Sequence, residues 1–336
     1  MKHYTIPVFI PQLACPFQCV FCNQKKISGH IHIADTGEVK KTIELYLSGF
    51  KHKERHVEVG FFGGNFTGIP LAEQEKYLKA VQPYFEKGLV HGIRLSTRPD
   101  YINGKVLDLL SENNVTTVEL GAQSLNDGVL KASFRGHTVR QVKEASEMIL
   151  RKGMKLGLQM MIGLPEDTLE KSMETARKIK DFGATNTRIY PTLVIKDTAL
   201  HVWYKQGRYK PLSLDEAVLW SKHLLRYFEK ENINVIRMGL HPSEGLISGD
   251  ELVDGPFHPS FRELVLTELW WDILKKLITG ENRNFNLILK VPGRQVNYAT
   301  GYGGKNKRRL LQHFKTLKIL PSEHLTGRNF VAQTAL

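Results

Sequence analysis

From the first strand-like run onward, β-rich stretches alternate with helical patterns, and that alternation leaves few folds open. TIPVFI precedes a helix over about Thr36–Phe50, HVEVGFFG precedes Leu71–Glu86, and GIRLST precedes Lys105–Ser111. VTTVELG then leads to Val139–Arg151, KLGLQMMIG to Leu169–Asp181, and TRIYPTLV to helices beyond Ala199. Strands separated by helices of this length return in the same direction through crossovers, so six such units predict a parallel α/β sheet. Periodicity alone leaves both an open doubly wound sheet and an incomplete barrel.

Beyond Leu214 the alternation breaks. DEAVLWSKHLLRYFEK reads as one long amphipathic helix, NVIRMG is a candidate seventh strand, and HPSEGLISGDELVDGPFHPSF is a Gly/Pro-rich connection. A boundary near Arg237 divides residues 1–237 from residues 238–336, where a helix over Phe261–Ile278, the strand NLILKV and a basic stretch from Arg294 form a smaller region. A chain of 336 residues can bury a sizeable core in such an arrangement. No apolar run reaches the roughly 18 residues of a membrane span, and MKHYTIPVFIPQ lacks the architecture of a signal peptide. A cytoplasmic location without a membrane partner is the expectation.

The formal net charge of +13 favours an anionic partner. Much of it sits at the end: residues 281–336 carry ten Lys or Arg against Glu281 and Glu323. LILKVPGRQVNYATGYGGKNKRRLLQHFK interleaves these cations with Tyr298, Tyr302 and several glycines, a mixture suited to RNA through phosphate contacts and stacking. A solvated, positively charged face is the plainer alternative.

All three cysteines fall within eight positions, as Cys15, Cys19 and Cys22 in CPFQCVFC, directly after the first predicted strand. A secreted disulfide framework would use an even number of them. Three thiolates on one tight loop can hold three irons of a cubane cluster and leave the fourth iron open. That iron can chelate the amino and carboxylate groups of S-adenosylmethionine. A structural zinc site completed by His30 or His32, or three unligated cysteines, are the alternatives; zinc sites favour paired thiols at longer intervals.

The Cys-x-x-x-Cys-x-x-Cys fingerprint resembles the radical SAM superfamily. The resemblance implies an incomplete parallel (β/α)6 TIM-like barrel with a small C-terminal α/β extension. It implies one [4Fe-4S] cluster on Cys15, Cys19 and Cys22, S-adenosylmethionine across the C-terminal strand ends, and an electron donor such as flavodoxin or ferredoxin. Phe21 would pack on adenine. Gly63 and Gly64, in FFGGNFTG, would let backbone carbonyls approach the methionine ammonium. Asn65 follows them where relatives carry an acid or threonine. Gln123 and Arg135 are twelve residues apart in QSLNDGVLKASFRGH, a spacing that resembles the coproporphyrinogen oxidase branch and implies Gln at the ribose region and Arg on the methionine carboxylate. LQMMIGLPEDT is similar to the adenine-binding strand, with Gln159 near the ribose and Met161 against the ring. Ser96 stands where close relatives often have Glu.

STRPDYINGKVLDLL, VELGAQSLNDGVL, FRGHTVRQV and RIYPTLVIKDTALHVWYKQGRYKPLSLDEAV together resemble the radical SAM half of the Elongator catalytic subunit, over roughly residues 4–237. That likeness implies an enzyme of tRNA wobble uridine and, with the basic tail, an RNA substrate, tRNA or rRNA. The Elongator subunit has a wider first cysteine interval and continues into an acetyltransferase domain for which this length leaves no room, so acetyl-CoA is not carried over. GDELVDGPFHPSFRELV resembles the extension of stand-alone bacterial Elongator-like proteins. With every cysteine committed to the cluster, no thiolate is left for an auxiliary cluster, sulfur donation or methyl relay. A radical enzyme on a small molecule such as a tetrapyrrole, or a non-catalytic heme carrier, are the rival readings. Tyr190, Lys196, His241, His258 and Glu263 carry no assigned role.

Overall fold

The computed structural model describes residues 2–10, 19–23, 26, 34–52, 54–241, 243–278 and 284–335. Its main sheet contains seven parallel strands: β1 (Lys2–Phe9), β2 (Arg55–Phe62), β3 (Gly92–Thr97), β4 (Val115–Gln123), β5 (Lys155–Ile162), β6 (Asn186–Pro191) and β8 (Asn234–Met238). They lie in the order β1-β2-β3-β4-β5-β6-β8, curled into a half-barrel with β1 and β8 as its two edges. The partial parallel barrel expected from the sequence is what the chain builds, with NVIRMG added as a seventh strand that sets Ile189 opposite Met238.

The helices between these strands are α1 (Thr36–Gly49), α2 (Leu71–Glu86), α3 (Gly104–Glu112), α4 (Asp127–Ala132), α5 (Val139–Arg151), α6 (Leu169–Asp181), α7 (Ala199–Lys205) and α8 (Leu214–Lys230). Local side chains set where several begin. Asp35 and Glu38 close a capping box on α1, Thr138 and Gln141 close another on α5, and Asn103, Thr168 and Thr198 cap α3, α6 and α7. Along the strands one face is apolar: Val57, Val59 and Phe61 of β2 and Ile93 and Leu95 of β3 are buried. The alternate positions hold Glu58, Arg94, Ser96, Glu119, Gln159, Arg188 and Tyr190, which meet one another on the opposite face.

TRIYPTLV does not continue as one strand. After Pro191 the chain leaves the main sheet, Thr192 bonds back to the Ile162 carbonyl, and β7 (Val194–Ile195) pairs antiparallel with β9 (Leu252–Asp254) beyond the short helix α9 (Glu244–Ile247). Two compact units result: residues 1–213 with 224–257, and residues 214–223 with 258–336. The division falls after Phe257 rather than near Arg237, because β8 completes the main sheet and β9 returns to β7.

In the second unit α10 (Phe261–Leu274), α11 (Val296–Thr300) and α12 (Lys305–Leu311) pack with a three-stranded sheet. Its central strand β10 (Asn286–Pro292) runs parallel to β11 (Thr316–Ser322) and antiparallel to β12 (Val331–Ala335). Trp270, Leu274, Leu287, Leu289, Leu310 and Phe314 form its core.

Candidate cofactor site at the strand ends

Cys19 is only 5% exposed and shares a buried cluster with Phe21, Leu164, Val194 and Tyr209, against which Cys22 and Met161 pack. The cysteine loop is thereby seated on residues that follow β5 and β6. Backbone bonds fix it from two sides: Val20 donates to the Ser133 carbonyl at 3.2 Å, and Leu200 donates to Val20 at 2.7 Å. The Cys22 amide closes a turn onto the Cys19 carbonyl, and the Lys26 ammonium pairs with Asp197 at 2.7 Å and Glu251 at 2.8 Å. Cys15, His30 and His32 lie outside the described residues.

Arg135 joins this loop to the end of β4. Its Nη2 donates to the Gly121 carbonyl at 2.8 Å, and its Nη1 lies 3.5 Å from Cys19 Sγ. A Cβ on Gly121 would come within 3.0 Å of Arg135 Nη2 and 3.1 Å of Gln123 Nε2, so the two residues spaced by twelve meet over one glycine. Gln123 ends β4 with φ +62°, and among the described residues neither its buried Oε1 nor the buried Arg135 Nε meets a partner. Buried polar atoms without partners are costly, and here they belong to two neighbouring residues, one of which reaches a cysteine. That constellation fits a bound group offering charge and hydrogen-bond partners. Arg98 positions Arg135 in turn, since its Nη2 donates both to Asp100 and to the Arg135 carbonyl.

The end of β2 is accounted for by packing. Gly63 has φ +105°, and a Cβ there would fall 2.5 Å from the Phe9 ring and 2.7 Å from the Ile10 carbonyl. Asn65 Oδ1 accepts from Thr97 Oγ1 at 2.7 Å and from the Arg98 amide at 3.2 Å, which commits it to tying β2 to β3. Gly64 lines a small cavity with Asn65 and Ser96. Gln159 donates to Ser96 Oγ at 3.0 Å and to Glu119 at 3.3 Å, so it sits in the polar interior of the half-barrel.

That interior is what sequence reasoning missed. Glu119, 1% exposed, accepts from Arg188 Nε at 2.6 Å and from Arg94 Nη1 at 3.0 Å, while Arg94 also pairs with Glu58 at 2.9 Å. Arg188 reaches Tyr190 as well, and its guanidinium lies over the Phe62 ring. The signal was present: strands of a parallel sheet covered on both faces are nearly continuous in apolar residues, so charges in mid-strand at period two mark an interior lined for a polar occupant. A separate open cleft of about 770 Å³ lies outside it, walled by Lys131, Phe134, Trp203, Arg208 and Lys210. There the Phe134 and Trp203 rings meet edge-on at 5.7 Å, and Arg208 lies over Trp203.

His137, buried behind Arg135, gives the site a pH dependence. Burial, with the positive Arg135 and Arg98 beside it, pushes its imidazole down to about 2. It stays neutral in the fold, while in the unfolded chain it takes up a proton below about pH 6.5. Stability is intact above that pH and falls, by about 1.4 kcal/mol per pH unit, as the pH drops toward the folded value. Between pH 6.5 and pH 5 the loss should reach about 2 kcal/mol. Urea denaturation at the two pH values should show it in the wild type and not in His137→Gln; equal losses would clear His137 of the effect.

The family model for the radical SAM superfamily matches residues 9–179, more than half of the chain. The chain belongs to the radical SAM superfamily. A model of the radical SAM C-terminal domain matches residues 185–270. Among curated proteins, this radical SAM chain is 25% identical to the tRNA uridine(34) acetyltransferase of Methanocaldococcus infernus over 252 residues, 63% of the chain and 47% of that protein. It is 34% identical to Elongator complex protein 3 of Saccharomyces cerevisiae over 176 residues, 52% of the chain and 30% of that protein. It thus spans about half or less of the length of these relatives. The solved structure of the Methanocaldococcus infernus Elp3 lacking its N-terminus superimposes with a TM-score of 0.63 at 21% identity, covering 88% of this radical SAM chain and 67% of that one. This last likeness is one of fold.

Proposed function

We propose that this chain is a radical SAM enzyme that modifies a base of RNA, with tRNA at its wobble uridine as the first candidate and rRNA as the second. The observation that carries the reading is Arg135, held between Cys19 and the end of β4, with buried polar atoms beside it that meet no partner among the described residues. Cys15, Cys19 and Cys22 would hold a [4Fe-4S] cluster, which would supply one-electron cleavage of S-adenosylmethionine to methionine and a 5′-deoxyadenosyl radical able to take a hydrogen atom from carbon, with a flavodoxin- or ferredoxin-class donor as the source of the electron.

The residues of the chain have distinct tasks in this reading. Arg135 would pair with the methionine carboxylate, a charge-assisted contact that also fixes orientation. Phe21 and Met161, packed with the cysteine loop, would wall off water on the adenine side. Gln123 would offer its free acceptor toward the ribose, and Gly63 and Gly64 would bring backbone to the ammonium. Gln159, held by Ser96 and Glu119, would stand near the ribose, and Arg188 and Tyr190 would face substrate from the polar interior.

RNA as substrate is supported by the names of the relatives, by the net charge of +13 and by the cleft around Trp203, where Lys131, Arg208 and Lys210 stand with Phe134 against Glu166 and Asp167. Among the described residues no helix is long and apolar enough to cross a membrane; a cytoplasmic setting belongs to the same proposal. The test is 5′-deoxyadenosine measured by mass spectrometry after anaerobic incubation of the reconstituted protein with S-adenosylmethionine and reductant, with tRNA, with rRNA and with neither. Cleavage stimulated by tRNA is expected. Cleavage indifferent to both RNAs would overturn the RNA reading in favour of a small-molecule substrate, and no cleavage despite an intact cluster would overturn the enzyme.

A further inference from the structure

We infer that the second unit grips single-stranded RNA by its sugar–phosphate backbone, over the turn Gly301-Tyr302-Gly303-Gly304 between α11 and α12. The inference rests on the RNA reading above and assigns it a surface. Two short helices joined by a Gly-x-x-Gly turn and packed on a three-stranded sheet form a recurrent arrangement in which that turn clamps roughly four nucleotides of a single strand.

The four positions divide by cause. Gly301 is required by packing: with φ +82°, a Cβ there would lie 2.7 Å from the Asn306 amide and 3.0 Å from Thr267 Cγ2. Gly303 and Gly304 are not. A Cβ at Gly303 (φ +56°) would meet nothing within 4 Å, and one at Gly304 (φ +77°) would meet only the Arg308 guanidinium, at 3.4 Å. Their bare backbone faces open space, where a ligand's backbone can approach closely.

The turn is also held in place. The Tyr302 amide donates to Thr267 Oγ1 at 2.8 Å, Asn306 Nδ2 donates to the Thr267 carbonyl at 2.9 Å, and Arg308 Nη1 donates to the Gly303 carbonyl. Tyr302 is 46% exposed, with its ring steadied edge-on by His258 at 5.1 Å, so a face is offered to a base.

The charges around the turn are sorted. Glu268 holds Lys305 at 2.8 Å and Arg309 at 3.2 Å, and Arg309 also lies over Trp271. Lys307 and Arg308 stay exposed with no acid partner among the described residues. Open glycines, a stacking ring and two unneutralised cations at one turn match a single-stranded polyanion. They do not match a duplex, whose bases are already stacked.

The experiment uses the full chain, anaerobically reconstituted, with a fluorescein-labelled 12-nucleotide unstructured RNA, the same strand in duplex, and tRNA. The wild type should bind the single strand more tightly than the duplex. Gly303→Asp with Gly304→Asp, residues that tolerate left-handed backbone, should weaken single-strand binding at least about tenfold. Lys307→Gln should lower the slope of log K against log salt by about 0.7. Tyr302→Ala should weaken binding about 5- to 100-fold, as loss of one stacked base does. Formation of 5′-deoxyadenosine without RNA should be unchanged in all three, because the substitutions lie outside the first unit. Thermal unfolding should show the second unit still folded at the assay temperature, with the lowest midpoint in the double Asp variant, whose side chains enter positive-φ backbone. If tRNA binds but the turn variants bind the single strand as tightly as wild type, the assignment of this turn is overturned while the RNA reading stands. If the wild type binds no RNA, both fall.

Discussion

Cys19→Ala should leave a colourless protein whose iron and sulfide content after reconstitution falls to background and which forms no 5′-deoxyadenosine. Cys19 sits in an apolar setting with Phe21, Leu164 and Val194, so alanine suits the space and the apo fold should persist. Arg135→Met separates ligand from positioning group. The cluster should form with wild-type iron content, while S-adenosylmethionine affinity falls about tenfold to a hundredfold, as hydrogen bonds to charged groups are worth about 1.5–3 kcal/mol. Equilibrium dialysis against labelled S-adenosylmethionine reads the second effect. Full iron content in Cys19→Ala would remove that thiolate from the cluster, and unchanged affinity in Arg135→Met would leave the guanidinium a purely structural link to Gly121.

The helix limits expected from the sequence for Leu71–Glu86, Val139–Arg151 and Leu169–Asp181 coincide with α2, α5 and α6. For α5 and α6 the determinants of the start are local, since Thr138 with Gln141, and Thr168, cap the first turn where they stand. What escaped depends on distant partners. β7 exists because β9, more than fifty residues later, pairs with it. α11 and α12, of five and seven residues, are too short to show helical periodicity; Thr267 of α10 secures them by accepting from the Tyr302 amide and from Asn306. Within the site, the cysteine spacing pointed to chemistry, and the structure packs Phe21 and Met161 in the cluster with Cys19, sets Arg135 beside its sulfur and leaves Gln123 next to Arg135 over Gly121. Asn65 instead bonds across to Thr97, a use that its place after a strand could not disclose. Glu119 and its arginines went unread because no motif contains them, only their period along buried strands.

Glu119→Ala should destabilise the first unit by about 3–5 kcal/mol, the usual cost of removing one partner from a buried ion pair. Glu58 and Glu119 balance Arg94 and Arg188 in the half-barrel, and the two arginine side chains are only 15% and 14% exposed. Without Glu119, Arg188 keeps the Tyr190 hydroxyl and the Phe62 ring but loses a carboxylate that accepts at 2.6 and 3.0 Å. One positive charge is then left without its counter-charge. Arg188→Met combined with Glu119→Leu should be less destabilising than Glu119→Ala alone, since the charge and its partner leave together while Arg94 retains Glu58. Urea denaturation of the three proteins measures this. A cost for Glu119→Ala within about 0–1 kcal/mol, the range of exposed pairs, would mean that water reaches the interior and screens the arginines. The same substitution bears on the site, because Gln159 Nε2 is oriented by Glu119 as well as by Ser96. Glu119→Ala frees that amide, so it should also weaken S-adenosylmethionine binding in the fraction that stays folded, and Gln159→Ala should add little to the loss.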